Sequence, residues 1–388
     1  ISRPVRAPTP SASGLFLARN NPATFQPQCG RMKNPYFNPA KKHHRPDGFQ
    51  NNYQSFRGKR LSELLRWRWQ AWRAGHPHPL REPIPVVQPD LAFIHGNAQA
   101  GLHMQPAATW IGHITVLLQV GGLNVLTDPV FSERCFPVQW AGPKRHTPPG
   151  LSLAQLPRID VVLLSHNHYD HMDEHSLVTL AAQRGGPPLF ITPLGHKHWF
   201  ARRGIHHVVE LDWWNTHALD AGERNHRIPV TLTPAQHWSA RTTRDALRSL
   251  WGSFVVRSPD CHVFFSGDTA YSKDFIDIRQ HFAREHTPEL GGGFDLALLP
   301  IGAYEPRWFM KDQHCNPEEA VQIFQDLGCK QAIAVHWGTF QLTDEALDEP
   351  PRALARALRA QRIKPDDFRV LGVGETLRVE RRPAHKAD

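Results

Sequence analysis

Cysteine is scarce in this chain. Five residues, Cys29, Cys135, Cys261, Cys315 and Cys329, are scattered over 388 positions without a CxxC pair. Such spacing argues against a disulfide framework and leaves room for one bridge at most. Long apolar runs are missing as well. About 18 consecutive apolar residues are needed to span a bilayer as a helix, and no such stretch occurs. No segment repeats another, and no separate module carries the interleaved basic and aromatic residues of a nucleic-acid binder. Acidic residues are outnumbered: 36 Asp and Glu face 45 Lys and Arg, for a net charge of +9. That surplus fits a phosphate-bearing partner (nucleic acid, an anionic lipid surface or a phosphorylated substrate) or a plain bias toward arginine, and charge alone does not choose. With 40% apolar and 21% charged residues the composition is globular, and the length allows one large domain or two smaller ones.

Residues 1–33 lack periodicity and are expected to be mobile. Residues 34–90 read as an extended arm, rich in Pro, Asn and His, that includes one amphipathic helix over Leu61 to Ala74. Leu61, Leu64, Leu65, Trp69 and Trp72 fall near one face of it, with Arg66 and Arg73 on another. Such a face suits either a membrane interface or docking on the body of the protein. Residues 91–380 read as one catalytic domain, and 381–388 as a frayed, charged tail.

Within that domain, strands are expected at Ile114 to Val120, Leu123 to Thr127, 159–164, Pro188 to Thr192, His207 to Leu211, Pro229 to Thr233, Gly252 to Val256, His262 to Ser266, Leu296 to Leu299, Gln331 to Val335 and Phe368 to Leu371. Helices are expected at Met172 to Ala182, Gly195 to Arg203, Ser272 to Arg284, Pro317 to Leu327 and Arg352 to Arg362. Hairpins come first, with β/α alternation mixed in. A pair of mixed sheets flanked by helices, of the α/β class, fits this order.

The chemistry concentrates in Ser165-His166-Asn167-His168-Tyr169-Asp170-His171. The run follows the short β-branched strand Ile159-Asp160-Val161-Val162-Leu163-Leu164 and precedes a helix, so it occupies a loop at the C-terminal end of a strand, where a rigid scaffold presents ligands. Imidazoles suit zinc and other borderline metals, and a carboxylate adds an anionic ligand. His166 and His168, two apart in an extended loop, can point to one metal. Asp170 and His171 can reach a second.

Three more candidates each follow an apolar run: His237 after Pro229 to Thr233, Asp268 in Ser266-Gly267-Asp268-Thr269, and His336 after Gln331 to Val335. Two sites then fill. His166, His168 and His237 hold one metal; Asp170, His171 and His336 hold the other; Asp268 bridges them together with a water-derived hydroxide. Paired metals about 3.5–4 Å apart lower the pKa of water toward ~7 and neutralise charge on a substrate oxygen. Ligand type alone leaves zinc, iron and manganese open.

These residues resemble the metallo-β-lactamase superfamily. Longer stretches are similar to one family within it, the N-acyl-phosphatidylethanolamine-hydrolysing phospholipases D. They are Thr109-Trp110-Ile111-Gly112-His113, Thr127-Asp128-Pro129-Val130-Phe131, Gln236-His237-Trp238, the run Pro300 to Met310, Val335 to Phe340, and, in the arm, Asn34-Pro35 and Gly48 to Tyr53. The resemblance runs from about residue 34 to 375, and Ala303 to Met310 is its most specific part. It implies an αββα sandwich with an N-terminal extension, two zinc ions per chain, and hydrolysis of N-acyl-phosphatidylethanolamine to an N-acylethanolamine and phosphatidic acid. It also implies a membrane-associated homodimer with a phospholipid substrate and no nucleic acid. Attachment is expected to be peripheral, on the cytoplasmic side, with a periplasmic or other lumenal side as the alternative. All seven ligands match family positions. Asp170, Asp268 and His314 carry over as catalytic, and Gln313, His314 and Tyr304 as substrate-binding. One departure is visible: Ser239-Ala240, then Arg241, follow Trp238 where family members carry a basic and cysteine-containing pair.

Two rival readings share the residues. One is another hydrolase of the same fold, a lactonase or a nuclease-type phosphodiesterase. The other is a membrane-surface scaffold with a retired metal site, which the complete ligand set argues against.

Overall fold

A computed structural model describes residues 33–220 and 227–382. The segment expected to be mobile therefore lies outside the described residues except at its last position, as do 383–388 of the tail. Arg381 and Arg382, expected to fray, are held instead. Arg382 is buried, its guanidinium donating to the carbonyls of Leu290 and Gly292 and pairing with Asp295 at 2.7 Å. A planar cation with five donors is kept in place when each finds an acceptor.

The arm carries a two-residue hairpin, β1 (His44–Arg45) and β2 (Gly48–Phe49), then helix α1 (Leu61–Ala74). α1 ends at Gly75 in the left-handed conformation, φ 70°. Its buried side is not the one the apolar spacing suggests. Trp67 docks, with its Nε1 donating to Asp344 at 2.9 Å and its ring 4.8 Å from that of Phe309, while Glu63, Gln70 and Ala71 flank it half-buried. Leu61, Leu65, Trp69 and Trp72 face outward, Trp72 at 78% exposure. An indole N–H with a carboxylate to meet outweighs a wider but featureless leucine face.

Helix α2 (Leu91–Ala98) leads into strands β3 (Ala107–Gly112), β4 (Thr115–Val120), β5 (Leu123–Thr127) and β6 (Val161–Leu163). There follow α3 (Glu174–Ala181), β7 (Leu189–Pro193), α4 (Lys197–Ala201), β8 (Val208–Leu211), β9 (Thr216–Asp220), β10 (Arg227–Thr233), β11 (Ser253–Ser258) and β12 (Cys261–Phe265). The chain closes with α5 (Asp274–His281), β13 (Leu296–Pro300), α6 (Arg307–Met310), α7 (Pro317–Leu327), β14 (Gln331–Val335), α8 (Glu349–Gln361), β15 (Phe368–Arg369) and β16 (Thr376–Arg378). The strands form two seven-stranded mixed sheets, ordered β16-β3-β4-β5-β6-β7-β8 and β15-β14-β13-β12-β11-β10-β9. Both follow one plan. Three antiparallel pairs lead to β5 or β12, and three parallel pairs continue to β8 or β15.

Side-chain alternation shows how the layers stack. Val116, Leu118 and Val120 of β4, Val161 and Leu163 of β6, and Ile191 of β7 join the core shared with the second sheet. Their neighbours Leu117, Val162 and Phe190 turn the other way, into a core with Leu177, Leu180 and Phe200 of α3 and α4. A strand buried on both faces reads as a continuous apolar run, which is the form these segments have. α7 covers the second sheet. Asn316 caps it by accepting from Glu319 N at 2.9 Å, and Pro317 takes the first position. The result is the αββα sandwich with an N-terminal extension.

Candidate metal centre

Every candidate ligand stands just past the C-terminal end of a strand: 166–171 after β6, His237 after β10, Asp268 after β12 and His336 after β14. Close approach of the β6 and β12 loops requires glycine at 267. A Cβ there would fall 2.4 Å from that of Ser165, and φ is +58°.

The structure brings all seven together in two bunches. In the first, Nε2 of His166 lies 2.8 Å and Nε2 of His237 3.3 Å from Nδ1 of His168. In the second, Nε2 of His336 lies 3.2 Å and Nε2 of His171 3.5 Å from Oδ2 of Asp170. Asp268 stands between the two. Its oxygens are 3.1 Å from both His171 and His336, and 3.7 Å and 4.0 Å from His237 and His166.

The outer ring nitrogens fix which atom faces inward. His237 Nδ1 donates to the Gln313 carbonyl at 2.8 Å, His171 Nδ1 to Asp128 at 2.6 Å, and His166 Nδ1 to the Ser165 hydroxyl at 2.9 Å, which itself donates to Asp128. Each ring thus turns an Nε2 lone pair inward, the arrangement by which outer partners orient metal ligands. These atoms are buried, yet among the described residues His171 Nε2 and Asp268 Oδ1 lack hydrogen-bond partners, as does His168 Nε2 on the outer side of its ring. Buried polar atoms are rarely left so. The donor set is nitrogen and carboxylate oxygen, suited to a borderline divalent cation, so the residues fit a metal.

Protonation agrees. Burial holds His237 at about 4 and His113 at about 3, so both rings are neutral. Burial acts the same way on His171, but the carboxylates of Asp268 and Asp170 and the hydrogen bond to Asp128 outweigh it and raise its pKa well above the ordinary value. Burial prevails at His237 and His113, and the neighbouring carboxylates prevail at His171. The centre calls for positive charge between Asp170 and Asp268.

His314 sits at the rim, its unpartnered Nδ1 3.9 Å from Asp268 and its pKa lowered by burial to about 3. Arg307 of α6 donates to the His314 carbonyl at 2.9 Å, which ties the 303–310 run to the rim of the centre. Gln313 supports the centre by its carbonyl; its side chain is buried, with Nε2 on Met310 Sδ at 3.1 Å. Tyr304 stands apart. It is buried, its amide is held by Glu345 at 3.2 Å, and among the described residues no hydrogen bond or ring contact joins it to the centre. The turn at Gly302 packs against the residue that follows β14: a Cβ at 302 would meet the His336 carbonyl at 2.2 Å.

Residues 123–337 match the profile of the beta-lactamase superfamily domain, more than half of the chain. A Caenorhabditis elegans N-acyl-phosphatidylethanolamine-hydrolyzing phospholipase D 1 is 36% identical over 69% of this chain and 74% of its own length. The chain belongs to that family, within the metallo-β-lactamase superfamily. An uncharacterized protein of Mycobacterium tuberculosis is 38% identical over 72% of this chain and 70% of its own. Among solved structures, an isothiocyanate hydrolase from Delia radicum gut bacteria superposes with a TM-score of 0.53 at 20% identity, over 71% of this chain and 99% of that one. At that identity the likeness concerns the fold. The chain is thus a metallo-hydrolase of this family with His/Asp clusters placed to bind metal.

Three supporting residues carried no assigned role in the sequence. Asp128 orients His171 and Ser165. Asn51, from the arm, clamps the backbone of His237, accepting from its N–H at 3.2 Å and donating to its carbonyl at 2.9 Å. His113 touches Asp170. Asp128 had a signal, since it directly follows the expected strand β5; His113 follows β3, which its sequence does not announce. Asn51 has none, because its partner is backbone. Arg241, at the point of departure from the family pattern, grips the ligand loop from outside, donating to the carbonyls of Asn167 and Met172 at 3.1 and 2.7 Å.

Proposed function

We propose that the protein is a dinuclear zinc phosphodiesterase of the phospholipase D type, hydrolysing N-acyl-phosphatidylethanolamine to an N-acylethanolamine and phosphatidic acid. The observation carrying this reading is the pair of ligand bunches joined by Asp268, in a chain of this family. Two zinc ions there would supply an acidified water and a counter-charge for the phosphoryl oxygens. His166, His168 and His237 would hold one, Asp170, His171 and His336 the other, with Asp268 between them. The protein's share is positioning. Asp128, Ser165 and the Gln313 carbonyl fix three imidazoles in one tautomer each, so no ring has to turn during reaction. His314, neutral and at the rim, offers a hydrogen bond to the oxyanion as charge builds.

Lipid reaches such a site at a membrane surface. Among the described residues no helix is long and apolar enough to cross a membrane. Outward-facing Leu61, Leu65, Trp69 and Trp72 on α1, with Trp140 at 83% exposure, support peripheral attachment, which the net charge of +9 favours on anionic lipid. Attachment from the cytoplasmic side and a homodimer complete the reading, on the strength of the family alone.

The test is mass spectrometry of products after incubating the zinc-loaded protein with N-acyl-phosphatidylethanolamine vesicles, a lactone and an RNA in separate arms. Release of N-acylethanolamine with stoichiometric phosphatidic acid is expected. Turnover confined to lactone or RNA contradicts the assignment.

A further inference from the structure

Seven residues account for two metal positions, and one further buried imidazole lies directly against them. His113 follows β3 directly and is 1% exposed. Its Nε2 lies 3.1 Å from Asp170 Oδ2, and its ring centre 4.1 Å from that of His336. The backbone is in the left-handed region, φ 53°, as is that of His336, φ 61°. That conformation is costly for residues with side chains and persists only where the surroundings enforce it. Here they do. His113 N–H donates to Thr339 Oγ1 at 2.8 Å, and its carbonyl accepts from His336 N at 2.8 Å and Trp110 Nε1 at 3.0 Å. Four bonds, counting the one to Asp170, aim one ring at one carboxylate.

A neutral imidazole has one N–H to place. His113 Nδ1 is buried and faces no partner. A proton there would be wasted. His336 Nδ1 is also buried without a partner among the described residues, but His336 Nε2 faces both Asp170 and Asp268, at 3.2 and 3.1 Å, as a ligand between them must. His113 Nε2 is aimed at Asp170, and a proton on it meets that carboxylate. The ring then has no lone pair left on the inward side, so it acts as a donor to a ligand and not as a ligand.

Topology gives an independent reason. β3 and β10 are each second from the antiparallel edge of their sheets, and β5 and β12 each fourth. The second half delivers His237 after β10 and Asp268 after β12 to the centre itself. The first half delivers His113 after β3 and Asp128 after β5, and these contact Asp170 and His171. We propose that His113 is a positioning residue of the second metal position, donating Nε2–H to Asp170 as Asp128 accepts from His171. This rests on the two-metal reading above.

The test compares His113→Gln with His113→Met, of matched length and equal backbone strain, in the full chain. Only glutamine carries an N–H at the reach of Nε2. Dissociation constants of both zinc ions are read by chelator competition. The Met variant is expected to bind the second zinc ten- to a hundredfold more weakly and the first unchanged, with the Gln variant within a few-fold of the parent. Parental affinity in the Met variant, or equal loss in both, overturns the proposal. Fewer than two zinc ions in the parent overturns the two-metal reading instead. Should the Met variant not fold, histidine-selective 15N NMR of the unmodified zinc protein decides. A protonated, unmetallated Nε2 at His113 is expected, and a metallated Nε2 or an Nδ1–H contradicts it.

Discussion

Two His/Asp clusters lie among the described residues, and ligand-atom spacing alone does not separate them. One is the centre around Asp268. The other joins His43 and His44 of the arm to Asp212, all buried. They differ in what is left over. Asp212 is saturated: Lys41 reaches it at 2.5 Å, His43 at 2.7 Å, His44 at 2.9 Å, and the Trp213 N–H at 2.8 Å. The far nitrogen of His44 meets the Tyr36 carbonyl at 2.9 Å, and His43 stacks on Trp213 at 4.4 Å. Around Asp268, buried atoms of His171 and of Asp268 itself have no hydrogen-bond partner. A saturated cluster fastens a segment; an unsaturated one is shaped for a cation that completes it. The arm cluster is a latch, and the strap it fastens ends on the metal centre, because Asn51 lies just beyond it and grips His237.

The sharpest way to break this contrast is at Asp268. Asp268→Asn keeps the shape and removes the bridging charge, so turnover of lipid is expected to fall by roughly a thousandfold. Near-parental turnover with both metals retained would refute the bridging role. Asp212→Ala probes the other cluster. Removing the carboxylate leaves buried His43, His44 and the Trp213 N–H without their hydrogen-bond partner, at a cost of about 3 kcal/mol, measured by urea unfolding, with metal content per folded chain unchanged. The pH sense follows from Asp212 itself. Burial pulls its pKa up, but hydrogen bonds from His43 and Lys41 outweigh that and depress it. A depressed carboxylate stabilises above its unfolded value of about 3.9 and loses that contribution as pH falls. The deficit of the variant should therefore be full at pH 7 and shrink below about pH 4; a deficit independent of pH speaks against the latch.

Asn51→Ala removes both grips on His237 and one on Trp251. A loss of about 2 kcal/mol is expected, with weaker zinc binding in the first position alone. Equal weakening of both positions would detach the strap from His237. The smallest effect is expected at α1: Leu65→Ser with Trp72→Ser should leave stability within about 0.5 kcal/mol, these side chains being exposed, while cosedimentation with anionic vesicles drops several-fold.

The sequence was most legible where chemistry sits at the end of an apolar strand. The ligand loop, His237, Asp268 and His336 all follow runs buried on both faces, so strand and ligand announce each other. α1 and α7 have the bounds their caps and spacing predict. Elements with weak burial were missed. β9 is an edge strand with only Leu219 buried, and β16 spans three residues. β3 is buried throughout and was missed for another reason: it was seen as a motif but not as a strand, since Ala107-Ala108-Thr109 carries little β signal. α3 starts at Glu174 instead of Met172 because Asp173 takes the N-cap position, its carboxylate accepting from Ser176 N. α8 starts three residues early because Pro350 and Pro351 fit a first helical turn. Long-range partners such as Asn51 on His237, or Trp67 on Asp344, leave no local pattern at all.

The central claim is that unsatisfied convergence, not the mere nearness of His and Asp, marks a metal site. Zinc content per chain, measured by mass spectrometry after stripping and reloading, tests it in the parent and in the His43→Ala, His44→Ala double variant. Two zinc ions per chain in both proteins are predicted. A third ion in the parent that the double variant lacks, or a parent that holds only one, would contradict the account.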